Sequence, residues 1–388
     1  MKAWTWRPSS DVAPKVPGMF PATLCIAFAI QIGTVTPQQV VNGYAAEAAA
    51  AYERSCASAS TLLAAVHELC RVPTQENLAA ARTAWCRART DYGMTEVYRY
   101  GDGPIDARRG GVETFLNAWP VDEAYIEPER ADARTGIIAD RVHYPLLARA
   151  VLREHNQRGG ETNVCTGWHA IEFMLWGRDT SEAGPGCRPV SDFVDGTPNA
   201  DRRREFLLEI TTLLSEDLVK VSDAWKPGAD NHRSRFVANQ PRALRSMFIG
   251  PALLASYEMA GERLTVALET RDQEEETSCF SDTTDADFKA DLGGIERVLR
   301  GTNGQPGLID LVRTRHAAQA DALAAALDNA LGAVQAMPHP FDAAVRAGDE
   351  STLRKAMVAA QQALERLGTQ VSASAKALDI ELPTEPRG

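Results

Sequence analysis

Apolar residues recur with a helical period along almost the whole chain. Leu308, Leu311 and Val312 begin one such face, and Arg202 to Ala224 is strongly amphipathic. Thr36-Pro37 opens a helix predicted to run to Arg71, with Thr36 as cap and Pro37 in the first turn. Val72-Pro73-Thr74 breaks it, and Thr74 caps a second helix predicted to reach Arg99. An irregular stretch rich in Gly, Asp and Pro follows from Tyr100 to Ile126. Further helices are predicted over 141–158, 166–177, 202–224, 241–271, 284–300, 306–336 and 350–378. Residues 177–200 read as a loop. No run of alternating β-branched residues is long enough for a sheet. The pattern predicts an all-α fold of two packed four-helix-bundle-like domains, 35–227 and 228–383, divided at Lys226-Pro227-Gly228.

Ahead of these helices, Lys2, Arg7 and Lys15 precede an apolar run from Met19 to Gly33. That run is too short for an ordinary transmembrane helix and reads as the apolar part of a signal peptide over residues 1–34. Cys25 inside it leaves open a lipid anchor, and an uncleaved tail is the alternative. The remaining six of the seven cysteines fit an exported protein that can form disulfides. Cys56 with Cys86 and Cys187 with Cys279 are candidate pairs, and buried free thiols are the alternative. The 388 residues carry a formal charge of −11. That balance argues against nucleic acid and anionic membrane surfaces as main partners.

One segment departs from the apolar background in a way that needs explanation. Gly167-Trp168-His169-Ala170-Ile171-Glu172 has the form G-x-H-x-x-E inside the stretch 166–177. His169 and Glu172 are three residues apart, so both leave one face of the helix. An imidazole and a carboxylate on one face supply part of a metal site, and burying them unpaired would be costly. A zinc-protease helix carries two histidines and a glutamate. Here Phe173 follows Glu172, and the second histidine is absent. One imidazole with several carboxylates suits iron, and also admits zinc, manganese or calcium. Glu96 and Asp122 are the next ligand candidates. Arg99, Glu123 and Arg178 are candidates to orient them. Asp122 and Glu123 have a second reading as helix-start residues. Glu274 to Glu276 reads as a solvated acidic run.

Four stretches in order carry a resemblance to a known family. They are the His169 motif with Phe-Met-Leu-Trp-Gly, Asn117 to Ile126, Gly103-Pro104-Ile105-Asp106, and Ser278-Cys279-Phe280-Ser281-Asp282. In these the chain resembles the imelysin family, in its iron-regulated branch. The resemblance implies two helical bundles with the site at their interface, export to the periplasm or outer surface, and a role in bacterial iron uptake with membrane partners. It implies iron, as ion or chelate, as the bound species. Two alternatives belong to other classes: a metallopeptidase with Glu172 as general base, and a partner-binding module that captures haem or an iron chelate.

Overall fold

The first helix starts where its cap dictates. Thr36 Oγ1 accepts the Gln39 backbone N–H while the Gln39 side chain accepts the Thr36 N–H, and α1 runs Pro37–Arg71. A computed structural model of the chain describes residues 35–383 apart from 102, 108, 130–133 and 182–183. The signal-like segment 1–34 lies outside the described residues. Thr74 caps α2, Gln75–Gly93, as the sequence predicts. The remaining long helices are α3 Gly167–Trp176, α4 Ala200–Trp225, α5 Gln240–Leu253, α6 Thr284–Arg300, α7 Ala317–Gln335 and α8 Thr352–Ala377. Helix α5 continues into wide π-type turns over Leu254–Thr265. The described residues contain no strand, and the fold is all-helical.

Two predicted helices are shorter than their periodicity. Helix α2 stops at Gly93, and Glu96–Tyr98 form a separate 3-10 turn. Gly93 packs closely on α6, where a Cβ would stand 2.8 Å from Ala290 Cβ. Over 141–158 only Arg149–His155 is helical. Asp140 instead caps a turn through the N–H groups of Val142 and His143, and Pro145 disfavours helix at the residue before it.

Helix α1 packs along α2 and α4, while α8 packs along α7 and the π-type turns. Contacts also cross Lys226-Pro227-Gly228: α5 meets α1, and α6 meets α2. The residues from Val35 onward group as one compact unit. The six cysteines from Cys56 onward are free thiols, so neither candidate disulfide forms. Cys165 and Cys279 are buried among apolar side chains, as small hydrophobes often are.

Candidate functional site

Helix α3 is pressed into the core on all sides, and all ten of its residues are buried. Gly167 makes this possible. Its φ is +88°, and a Cβ there would stand 2.4 Å from the Leu116 carbonyl oxygen. The glycine of the motif therefore lets α3 start against the 113–117 segment, where any side chain would collide. Trp85 on α2 fixes the next residue by donating its indole N–H to the Trp168 carbonyl at 3.0 Å.

His169 is 1% exposed and Glu172 is fully buried. His169 Nδ1 lies 3.1 Å from Glu172 Oε2. The other oxygen, Oε1, accepts from Ser281 twice, the backbone N–H at 2.9 Å and the hydroxyl at 2.7 Å. Burial pushes the Glu172 carboxyl up to about 8, the Ser281 bonds acting against it and Asp287 with it. Burial also pushes the His169 imidazole well below its usual range, and the Arg89 and Arg263 charges add to that. At neutral pH the pair is therefore a neutral imidazole beside a protonated carboxyl. In that state the Glu172 O–H donates to Nδ1. Once Glu172 ionises, Nδ1–H donates to the carboxylate and Nε2 is left with its lone pair.

Around this pair lies a network of buried ions. Arg89 on α2 grips Asp287 on α6 through Nε at 3.1 Å and Nη2 at 3.0 Å. Ser278 Oγ donates to the same Asp287 at 2.7 Å. Arg263 donates to Asp291 at 2.6 Å and to Glu258 at 3.0 Å, and reaches Glu96 at 3.4 Å. Glu96 is 2% exposed, and its Oε1 has no hydrogen-bond partner. A buried carboxylate oxygen left unpaired is costly and favours a donor or a cation beside it.

The predicted ligands thus separate. His169, Glu172 and Glu96 belong to this buried region. Asp122 does not: it is exposed, caps the short helix Glu123–Ile126 through the Ala124 N–H at 2.9 Å, and lines an open cleft with Tyr125, Asp140 and His143. Arg99 stands 4.0 Å from Glu96 and pairs more closely with Asp106 at 2.7 Å and Glu113 at 3.1 Å. Glu123 and Arg178 meet at 3.9 Å, and Arg178 also donates to the Glu127 carbonyl and lies over the Phe173 ring. Among the described residues no group of three or more His, Cys, Asp or Glu side chains is already arranged to hold a metal ion.

Arg89, Arg263, Asp287, Asp291 and Ser281 escaped the sequence reading as parts of this site. Ser281 and Asp287 sit in or just after the Ser-Cys-Phe-Ser-Asp stretch, which stood out without indicating what it touches. Arg263 carried a fainter signal, a charge beside Met259, Ala260 and Leu264 on a helical face that proves to be buried.

Comparison with known proteins bears on the whole chain. The imelysin family model matches residues 48–371. A protein named iron-regulated protein A from Synechococcus elongatus is 23% identical over 329 residues, covering 80% of this chain and 79% of its own length. Among solved structures, one from Parabacteroides distasonis, described as an iron-regulated protein A precursor, superposes with a TM-score of 0.69 at 16% identity. It covers 89% of this chain and 97% of its own. An imelysin-like protein from Psychrobacter arcticum gives 0.63 at 13% identity, covering 90% of this chain and 98% of its own. At such identities these two structures speak for the fold.

Proposed function

The chain belongs to the imelysin family, and on that premise we propose that it binds iron as part of bacterial iron acquisition, with His169 as the imidazole donor. The names of the similar proteins support the link to iron. One observation carries the residue assignment: the buried His169–Glu172 pair, uncharged at neutral pH, with both Glu172 oxygens engaged by Nδ1 and Ser281. Glu172 in this arrangement orients the ring and sets its tautomer, as carboxylates behind metal-binding histidines do. Glu96, with its unpaired Oε1, is the carboxylate donor proposed beside it. Among the described residues the donors do not already surround one point, so binding requires their side chains to move together.

Binding at Nε2 requires Glu172 to ionise. Iron uptake by the pocket therefore releases about one proton at pH 7, and affinity rises with pH until Glu172 is ionised near 8. Titration calorimetry with Fe2+ in two buffers of different ionisation enthalpy measures both quantities. His169→Ala is expected to weaken binding at least about ten-fold, and Glu172→Gln to abolish the proton release. Absence of iron binding, or unchanged binding in His169→Ala, would sink the reading.

A peptidase reading has one observation in its favour: a carboxyl near 8 is suited to proton transfer at neutral pH. Against it, His169 is the one buried histidine among the described residues, and a catalytic zinc ordinarily takes three protein ligands. Protein degradation stopped by both chelator and Glu172→Gln would install that reading instead. Export completes the proposal. It is supported by the charge and apolar pattern of residues 1–34, and no helix of the described residues is long and apolar enough to cross a membrane.

A further inference from the structure

Glu274, in the acidic run that the sequence presents as solvated, is exposed, but the run's third member, Glu276, is not. Glu276 is 1% exposed, and neither of its carboxylate oxygens is in a well-formed hydrogen bond. Asp282 is 2% exposed, and both of its oxygens are likewise unpaired. Four orphaned carboxylate oxygens thus lie on one short segment, Glu276 to Asp282. Two more acids bear on them. Asp342, 1% exposed, and Asp179, 8% exposed, act electrostatically on both Glu276 and Asp282. An ionised carboxylate buried without a partner is among the costliest arrangements a protein can hold. Only a proton or a cation relieves it.

The neighbouring cations supply only part of that relief. Arg346 is committed to Asp342 Oδ2 and to Gln273, although its charge does reach Asp282. His339 also acts on Asp282, but its Nδ1 lies 3.1 Å from Asp285, and Lys289 holds the other Asp285 oxygen at 2.7 Å. The Thr284 hydroxyl offsets only part of the burden on Glu276. We propose that Glu276, Asp282, Asp342 and Asp179 form a binding site for a hard divalent cation, and that Ca2+ is the ion it fits. The donors are carboxylate oxygens, which select hard ions over thiophilic ones. Ca2+ takes about 6–8 oxygens in flexible geometry, whereas Mg2+ demands a near-ideal octahedron. No three of these acids already stand around one point. The cation draws them together.

This site is separate from the one at His169 and does not depend on iron binding there, but the two share a strut. Ser281, which holds Glu172, immediately precedes Asp282. Trp119 Nε1 donates to the Glu276 carbonyl at 2.8 Å, and Gly186 N–H to the Phe280 carbonyl at 3.0 Å. A cation held by Glu276 and Asp282 therefore rigidifies the segment that orients the His169–Glu172 pair.

The test is calorimetric titration of the chelator-stripped full chain with Ca2+, and separately with Mg2+, alongside thermal unfolding. Wild type is expected to bind Ca2+ in preference to Mg2+ and to unfold several degrees higher at about 100 times the dissociation constant. Glu276→Gln and Asp282→Asn are each expected to weaken Ca2+ at least about ten-fold, whereas His169→Ala retains it. Glu276→Gln keeps a metal-free melting temperature at or above wild type, which separates lost binding from lost fold. No Ca2+ binding by wild type, unchanged affinity in both carboxamide variants, or equal affinity for Mg2+ overturns the proposal.

Discussion

Two buried charged clusters adjoin the segment from Glu276 to Thr283, and they handle burial in opposite ways. Around His169, acids are matched by arginines: Asp287 receives Arg89, Ser278 and Thr277, and Asp291 receives Arg263. Around Glu276, acids face acids, and burial pushes the Glu276 carboxyl up to about 9 and that of Asp282 to about 6. The same loop therefore joins a cluster whose Asp287 and Asp291 are held by arginines to one in which Glu276 and Asp282 lack partners. The lesson is about sign. Removing a charge from the first cluster exposes an unpaired partner. Removing one from the second relieves repulsion.

That contrast yields its largest test at Arg89. Arg89→Met leaves Asp287 buried without its bidentate partner and is expected to cost about 3–5 kcal/mol in urea unfolding. Adding Asp287→Asn should recover part of the loss. A cost under about 1 kcal/mol would break the comparison.

Next in size is Glu276→Gln, with the opposite sign. The Glu276 carboxyl is raised from 4.5 to about 9 in the folded chain. Between those values the unfolded chain gives up this proton and the folded chain keeps it, so the contribution of Glu276 to stability falls as pH rises. Without divalent cations, Glu276→Gln should be more stable than wild type at pH 8, by at most the roughly 5 kcal/mol that the full shift would give, and equal to it at pH 4. Unfolding curves at the two pH values decide it, and a loss at pH 8 would show that the cluster is satisfied after all.

The smallest effect sharpens the boundary of the first site. Asp122 is an exposed helix cap, so Asp122→Ala should cost about 0.5–1 kcal/mol and leave Fe2+ affinity unchanged. A matching loss of iron affinity would bring Asp122 back among the ligands.

How far the site could be read in the sequence depended on distance along the chain. His169 and Glu172 are three residues apart, and helix geometry alone puts them together. Glu96 was legible as a carboxylate near the end of a helix, but its burial was not, because that depends on distant partners such as Arg263, 167 residues away. Ser281 is 109 residues from Glu172, and Arg89 is 198 from Asp287. No local pattern encodes such pairings. Glu276 was misread for the same reason, since a Glu-Glu-Glu run is usually solvated and nothing beside it announces that the third side chain turns inward.

By itself the sequence determined the helical class, the caps at Thr36 and Thr74, the bounds of α6, and the His169–Glu172 face. Each of these rests on interactions within a few residues, where backbone geometry leaves little choice. Only the tertiary structure decided which acids meet arginines, which meet one another, that the thiols stay free, and that Asp122 stands apart from His169. Charge is long-ranged and indifferent to sequence order, so its balance is settled by which helices pack, and in this chain the packing gives Asp287 and Asp291 arginine partners and leaves Glu276 and Asp282 without any.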